Sequence, residues 1–313
     1  EWDPDPQDFG KNDHKKFPLP DNFYDDYKGR EAAKIQEMQI SKDIKLDYDL
    51  KLFKTEEDWM KESNFRRMDE ADREKYREYY AKVKADYASQ DFSDPKKLAE
   101  WKFQRYMTDY LNTAESMDRN IGKVLDYLDE HQLTENTIVI YMSDQGFYMG
   151  EHGWFDKRFM YEESFRTPMM MRFPKEIKKS RKVNDLLMTV DIAPTMLDLA
   201  GVPIPEEIQG ESFSAIVHGK KGDRKQLYYH YYEDGIHNVS PHFGVSDGQY
   251  KLIRFYNKVN SWELYDMRKD PREMENLYNI PKYAEKQAEM MKKLKDEIQK
   301  QDDSEAMLIF EAS

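Results

Sequence analysis

The sequence predicts an α/β protein, and three patterns along the chain support that class. A short apolar run rich in β-branched residues, Ile138 to Met142, is typical of a strand buried on both faces of a parallel sheet. Before it, apolar residues recur at spacings of three and four from about residue 97 to residue 131, which predicts a long amphipathic helix. After residue 222 alternating segments between Gly and Asp turns predict a small antiparallel sheet, and residues 281 to 301 predict a closing helix.

Local signals predict the other elements in chain order. Residues 18–30 are expected to form an extended loop with turns, and the highly charged residues 55–90 one or two helices. Residues 188–201 predict the end of a strand followed by a helix. Asp191 stands where an N-cap is needed, and Gly201 stands where such a helix should end.

Composition limits the class of protein. The 313 residues allow two or so domains, and the change of pattern predicts a boundary between residues 1–221 and residues 222–313. No apolar run approaches the roughly 20 residues that cross a bilayer, so no membrane partner is predicted, and no signal peptide is visible at the first residue. The net charge of -13 opposes nucleic-acid binding, because phosphate recognition depends on a basic surface. The cysteine count of 0 excludes disulfides and thiolate metal sites.

Two polar residues follow the predicted strand where strands of open α/β sheets meet their ligands. Asp144 offers a hard anionic oxygen and Gln145 a neutral one. Ca²⁺ fits these donors, with Mg²⁺ as the second choice, because neither ion is soft. Calcium takes about six to eight oxygens, so most ligands must come from elsewhere. Taken alone, the segment from Ser143 to Gly146 is equally typical of a simple strand-to-loop turn.

A longer run of residues decides in favour of the metal site. After the turn come Gly150-Glu151-His152-Gly153, Lys157, Tyr161-Glu162-Glu163-Ser164 and Arg166-Thr167-Pro168. This order resembles the type I sulfatases of the alkaline phosphatase superfamily. The phrases GQYKLIRFY and WELYDMRKDPREMENLY resemble the C-terminal subdomain of that family, and FPLPDNFYDDYKGR resembles bacterial N-acetylglucosamine-6-sulfatase-like members. The resemblance implies the C-terminal part of an alkaline-phosphatase-like sandwich, followed by the small antiparallel sheet and helix.

The resemblance also implies roles for single residues. Asp144 and Gln145 would bind the active-site calcium, although many members carry Asn or His at the second position. Lys157 would contact the sulfate group, where an ammonium offsets charge that builds on the sulfuryl oxygens. Without the motif, a solvated surface lysine would be the better interpretation.

Three histidines are candidate substrate contacts. His152 either donates to the substrate or orients its loop. His237 and His242 lie in HNVSPHFGV, which is expected to be a loop entering a hairpin, and in sugar-acting relatives this loop reaches the mouth of the active site. His242 is the preferred contact of the two, and a structural role is the alternative for each. Glu162 is expected to form a structural ion pair or cap.

The nucleophile implied by the resemblance is not encoded in this chain. Type I sulfatases use a formylglycine made from a Cys/Ser-X-Pro-X-Arg motif, together with an early pair of aspartates, and the motif is absent here. A truncated chain, inactive until it meets a complementing N-terminal segment, is therefore expected.

The implied function is hydrolysis of sulfate esters on an amino sugar of a glycosaminoglycan or mucin, with 6-sulfated N-acetylglucosamine as the best guess. The bacterial resemblance implies an exported, periplasmic location. A phosphodiesterase or phosphonate hydrolase of the same superfamily is the enzymatic alternative. An inactive glycan-binding or interaction module is the non-enzymatic one.

Overall fold

A computed structural model describes residues 2–235, 237 and 239–313. Over these residues the helices are α1 (Glu31–Lys34), α2 (Glu56–Lys61), α3 (Ser63–Arg67), α4 (Glu70–Ser89), α5 (Pro95–Glu130), α6 (Glu162–Phe165), α7 (Ile192–Leu199), α8 (Ser214–Val217), α9 (Ala284–Lys300) and α10 (Ser304–Glu311). Over the same residues the strands are β1 (Val139–Met142), β2 (Tyr148–Met149), β3 (Phe155–Asp156), β4 (Met169–Arg172), β5 (Leu227–Tyr231), β6 (His242–Ser246), β7 (Tyr250–Phe255) and β8 (Ser261–Asp266).

The chain forms two compact units that alternate along the sequence. Unit 1 consists of Glu1–Asp25, Glu37–Leu133 and Phe147–Asp156. Unit 2 consists of Asp26–Gln36, Thr134–Gly146 and Lys157–Ser313. The division into residues 1–221 and 222–313 concerns domain organisation and stays a prediction.

The long helix of unit 1 follows the apolar stripe of the sequence. The helix predicted over residues 97–131 is confirmed as α5, which begins after Asp94, whose carboxylate accepts a hydrogen bond from the backbone of the first turn. Phe103 and Tyr106 in its first half are buried, whereas Val124 in its second half is exposed. Within the residues that the structure describes, no helix combines the length and the apolar character needed to cross a membrane.

The charged segment over residues 55–90 forms three helices rather than the predicted one or two. Glu62 and Asp69 have extended backbone angles, which interrupt the helical path between α2, α3 and α4. The Asp69 carboxylate then caps α4 by accepting from the Asp72 N–H. These helices pack through a mainly aromatic cluster formed by Phe53, Trp59, Phe65, Tyr76, Tyr79, Tyr80 and Val83.

Unit 2 contains the predicted C-terminal sheet. Strands β5 to β8 form a four-stranded antiparallel sheet whose strand order follows the chain order. The predicted closing helix over residues 281–301 is confirmed as α9, which follows a 3-10 turn. Leu252 and Leu264 of the sheet share one apolar core with Leu294 and Ile298 of α9. The alternating sequence pattern therefore located this sheet correctly.

Strand β1 differs from its prediction in its partner and its burial. It pairs antiparallel with β4, with Tyr141 opposite Met170, rather than lying in a parallel sheet. Among the described residues β4 is its sole partner strand, and these two side chains are 37% and 63% exposed. The physical reason is the chain path, because residues 143–168 turn back and return beside the strand, whereas a parallel neighbour needs a crossover connection.

The segment over residues 188–201 is helical where predicted but lacks the predicted strand end. A 3-10 turn, Thr189–Asp191, leads directly into α7, and Gly201 follows the helix with φ +69. The buried Asp191 carboxylate accepts from the Met188 N–H and from Arg224. Asp191 does not cap α7 as predicted, because its own backbone is already helical and its carboxylate bonds groups outside that helix, but it still has a structural role at the entry to α7.

Asp303 fastens the C-terminal helix α10 to the sheet of unit 2. One carboxylate oxygen accepts from the Ala306 N–H at 2.9 Å and thereby caps the helix. The other accepts from Tyr228 and Tyr232 at 2.8 Å each and from the His230 Nδ1 at 2.6 Å. Burial raises the pKa of Asp303, but the hydrogen bonds outweigh burial and lower this pKa from 3.8 to about 2. The ionised carboxylate is therefore the form that the fold favours.

Replacing Asp303 by Asn is expected to lower the free energy of unfolding near neutral pH by about 1.5–3 kcal/mol, the usual contribution of hydrogen bonds to a charged group. Because the folded pKa lies below 3.8, the stabilisation is present above that pH and is lost as the pH falls toward about 2. Urea unfolding of both proteins at several pH values should show their difference shrinking over that window.

The matched control is Asp302→Asn, since Asp302 is exposed and its φ of +52 suits asparagine. Its effect should stay within about 0.5 kcal/mol at every pH. Equal losses in the two variants would contradict the role of Asp303.

Candidate functional site

The turn after β1 presents an acid and an amide, as the sequence predicted. The Asp144 carboxylate is exposed and accepts from the Gln145 N–H at 3.1 Å. The Ser143 hydroxyl donates to the Gln145 carbonyl oxygen at 2.7 Å. Asp144 therefore shapes the turn, as the simpler interpretation expects, and its role as a metal ligand stays a prediction.

Lys157 lies against this turn. The neighbours of the Gln145 side chain fix which end is oxygen, since its oxygen then accepts from the Lys157 Nζ at 2.9 Å and its nitrogen donates to Asp144 Oδ2 at 3.1 Å. All three residues belong to unit 2. The structure thus brings together the acid, the amide and the lysine that the sequence singled out.

The donor set suits a hard divalent cation. In this arrangement the Gln145 nitrogen faces Asp144 and the Gln145 oxygen faces the positive charge of Lys157, so both oxygens would share one cation only after the amide rotates. Such oxygens are calcium ligands, but two of them supply only part of a shell of about six to eight. Within residues 2–235, 237 and 239–313 no group of three or more His, Cys, Asp or Glu side chains could hold a metal ion. The residues fit calcium as contributors and require further ligands.

Gly146 allows the turn to lie directly on α6. Its N–H donates to the Ser164 carbonyl oxygen at 2.8 Å. A Cβ at this position would stand 2.1 Å from the Glu163 carbonyl oxygen and 2.7 Å from that of Arg166. No side chain fits in that space, so glycine is required by the close approach of two backbones.

Ser164 connects the same helix to the lysine. Its hydroxyl accepts from the Arg158 N–H at 2.8 Å, directly after Lys157 in the chain. The two residues that flank Lys157 have positive φ, +74 at Asp156 and +90 at Arg158. Such angles are uncommon for residues with a side chain and need local support. Ser164 thus supports both the turn and the lysine.

His152 is fully buried in unit 1. Its Nδ1 lies 2.7 Å from the Oδ2 of Asp25, which is equally buried, and its backbone has φ +56. The structure therefore shows the loop-orienting interaction that was one of the two alternatives for this histidine. Contact with a substrate stays a prediction.

The two later histidines differ in their surroundings. His242 lies in β6 and not in the predicted loop, because the strand begins at this residue, where its register pairs it with Tyr231 and Phe255. Its ring is buried beside Tyr231, its Nδ1 donates to the Ser240 carbonyl oxygen at 2.8 Å, and burial lowers its pKa to about 4. His237 is half exposed and lies 2.8 Å from Glu233. Both remain predicted substrate contacts, and His237 is the accessible one.

Sequence reasoning missed Asp25 and Ser164. Asp25 lies 127 residues before His152, and no local pattern links the two. Ser164 stands inside the Tyr161-Glu162-Glu163-Ser164 motif, but hydroxyl-to-backbone bonds leave no signature in sequence. The expected structural ion pair of Glu162 is present, to Lys251 at 2.8 Å.

The chain is similar to known sulfatases. Residues 14–202 match the family described as Sulfatase, and residues 150–301 match N-sulphoglucosamine sulphohydrolase, C-terminal. The chain is 44% identical over 312 residues to an N-acetylglucosamine-6-O-sulfatase of Bacteroides thetaiotaomicron, covering 96% of this chain and 55% of that protein. It is 31% identical over 216 residues to a Delta 4,5-hexuronate-2-O-sulfatase of the same bacterium. That match covers 67% of this chain and 44% of the relative.

A solved structure described as a complex with its substrate D-glucosamine-2-N,6-O-disulfate superposes with a TM-score of 0.90 at 42% identity, covering 97% of this chain and 63% of that chain. The predicted α/β fold with its C-terminal antiparallel sheet is thereby confirmed. The chain spans about half the length of the curated relatives it matches.

Replacing Gly146 by Ala is expected to lower the free energy of unfolding by about 1–3 kcal/mol, because the added methyl group overlaps the Glu163 carbonyl oxygen. Gly122→Ala is the matched control, since Gly122 lies inside α5 and a Cβ there meets nothing within 4 Å. That variant should be more stable by about 0.5–1 kcal/mol. Thermal or urea unfolding measures both, and a neutral effect of Gly146→Ala would refute the close backbone approach.

Proposed function

Because the chain belongs to the sulfatase family, we propose that it forms the C-terminal part of an enzyme that hydrolyses sulfate esters on an amino sugar. The preferred substrate class is a glycan that carries 6-sulfated N-acetylglucosamine. The single observation that carries the proposal is the contact of Lys157 with Gln145 beside Asp144, since a cation and hard oxygen ligands at one place suit an anionic ester. The names of two relatives, an N-acetylglucosamine-6-O-sulfatase and a complex with a glucosamine disulfate, support the choice of sugar.

In the proposed mechanism the residues of this chain bind and orient the sulfate group. When present, calcium would polarise the sulfuryl oxygens and a hydrated formylglycine would supply the attacking oxygen. Asp144 and Gln145 would hold the calcium with their side-chain oxygens. The ammonium of Lys157 would stabilise negative charge that develops on the sulfate in the transition state. His237, the accessible histidine, is the candidate for protonating the leaving sugar oxygen.

A complementing N-terminal sulfatase segment is part of the proposal, because the formylglycine motif does not occur in this sequence and the described residues contain no complete metal-binding group. The face of the β1–β4 pair that carries Tyr141 and Met170 is the proposed contact surface for that segment. Two apolar side chains of this size at neighbouring strand positions form an exposed patch that association can bury. An exported, periplasmic location is also proposed, on the family resemblance alone.

Lys157→Ala in the complete protein is expected to lower kcat/KM for a 6-sulfated N-acetylglucosamine substrate by about 10²–10³-fold, because one stabilising donor is lost in the transition state. Release of inorganic sulfate measures the rate. Lys179→Ala, at an exposed lysine in the same unit, is the matched control and should keep the parental rate.

Two outcomes of that assay would contradict the proposal. Faster cleavage of an aryl phosphodiester or phosphonate ester than of the sulfate ester would favour the phosphoester hydrolases of the same superfamily. Equal sulfate release by Lys157→Ala and the parent would favour a binding or interaction module.

Calcium is expected to raise the thermal unfolding temperature of the complete protein, and chelation should reverse the change. A ligand present at about 100 times its Kd stabilises by about 2.7 kcal/mol. Asp144→Ala should abolish most of this shift, whereas Asp223→Ala, at an exposed aspartate, should leave it intact. Identical unfolding with calcium and with chelator would exclude Asp144 as a ligand.

A further inference from the structure

The segment that follows Lys157 is fastened to the C-terminal sheet by buried polar groups. Tyr161 is completely buried, and its hydroxyl donates to the Glu263 carboxylate in β8 at 2.8 Å. The Tyr265 hydroxyl donates to the same carboxylate oxygen at 2.8 Å. The Glu263 carboxyl group is fully buried, and burial raises its pKa to about 7. The two tyrosine hydroxyls are its hydrogen-bond donors. This is the first of two anchors for the segment.

The second anchor is centred on Lys251 in β7, which is 0% exposed. Its Nζ donates to the Met160 carbonyl oxygen at 2.8 Å and lies 2.8 Å from Glu162 and 2.9 Å from Glu273. The ammonium therefore combines one hydrogen bond to the backbone with two ion pairs. Glu273 also accepts the Glu162 N–H at 2.6 Å, so one carboxylate holds the first backbone N–H of α6 and faces the ammonium. The ion pairs keep Lys251 charged, with its pKa raised above the usual value even though burial acts in the opposite sense.

Glu273 is held in an unusual backbone conformation. It is fully buried with φ +52, a region that residues with a side chain enter at some energetic cost. Burial raises the pKa of Glu273 to about 7; the Glu162 carboxylate acts in the same direction, and the Lys251 ammonium acts in the opposite one. Buried ion pairs contribute little net stability compared with apolar side chains of the same size, so stability alone does not account for the arrangement. The polar contacts of Lys251 and Glu273 fix the position of residues 160–162 along β7. Apolar packing would define that position less precisely.

Helix α6 connects this anchor to the candidate site. Glu162 begins α6, and α6 carries Ser164 two residues later. Ser164 bonds the Arg158 N–H through its hydroxyl and the Gly146 N–H through its carbonyl oxygen. A rotation of α6 would therefore move both sides of the contact between Lys157 and Gln145.

We propose that Lys251 and Glu273 are positioning residues for Lys157, which they hold at sulfate-binding distance by fixing the start of α6. The inference rests on the proposed function, since it deepens the role of Lys157. Neither residue contacts the substrate, and both act through Glu162 and Ser164. All of these residues belong to unit 2.

The test uses four variants of the complete protein. Lys251→Met keeps an unbranched stem and removes the ammonium. Glu273→Ala removes the acceptor of the Glu162 N–H, and Glu273→Gln retains an acceptor oxygen. Lys293→Met is the matched control, because Lys293 also bridges two carboxylates, Asp247 at 2.6 Å and Glu289 at 2.7 Å, but lies on α9 with no bond to the 157–166 segment among its described contacts.

Amide hydrogen exchange of peptides over residues 143–146 and 157–166 is the first readout. Lys251→Met and Glu273→Ala should exchange roughly tenfold faster or more there than the parent, whereas Lys293→Met should not. The second readout is sulfate release below the unfolding temperature. Both variants should lose about 10–100-fold in kcat/KM, mainly through kcat, and Glu273→Gln should recover most of it.

Each outcome decides the proposal. Exchange that rises equally in Lys251→Met and Lys293→Met, or an unchanged kcat/KM in a folded Lys251→Met protein, would overturn the positioning role. If Lys251→Met does not fold, the comparison of Glu273→Ala with Glu273→Gln decides the question. Equal activity of these two variants would overturn the positioning role. A parent protein without sulfatase activity would refute the proposed function, and exchange would still decide whether the anchor holds the segment.

Discussion

The close approach of the turn after β1 to the backbone of α6 is the constraint on which the candidate site depends. Gly146 has no side chain, and the space where one would stand is filled by the carbonyl oxygens of Glu163 and Arg166. Because the two backbones touch, one hydrogen bond from Gly146 to Ser164 fixes the turn. Asp144 and Gln145 can then meet Lys157 although no regular sheet connects the two segments. The site is built from irregular chain held by specific bonds rather than from the ends of a large sheet.

Lys157 and Lys251 have different surroundings, and we therefore propose different roles for these two lysines. Lys157 lies at a turn whose acid is exposed, and its ammonium faces the Gln145 oxygen. Lys251 is fully buried, and its ammonium contacts the Met160 carbonyl oxygen and the carboxylates of Glu162 and Glu273. The net charge of -13 repels a sulfated glycan over most of the surface, which makes a local cation at the turn the more important.

The sequence predicted those elements that depend on local periodicity. Helix α5, helix α9 and the sheet β5–β8 lie where spacing and alternation indicated, because these patterns report which side chains face a core. The partner of β1 was wrong in direction, since pairing depends on the path of residues 143–168 and not on the strand itself. Family resemblance singled out Asp144, Gln145 and Lys157, which lie together in the structure, and their roles stay predictions.

The contacts that support the motif around Lys157 and its neighbours could not be predicted from the sequence, because they join distant positions. Lys251 and Met160 are 91 residues apart, and His152 and Asp25 are 127 apart. The burial of His242 was equally hidden, since the start of β6 is set by pairing with its neighbours.

The strand order of the C-terminal sheet has a kinetic consequence. Each strand pairs with the next one along the chain, so every step closes a short loop, and such topologies form rapidly. We therefore expect the C-terminal sheet to assemble early and to serve as the template on which the lysine-bearing segment, 91 residues upstream, docks late.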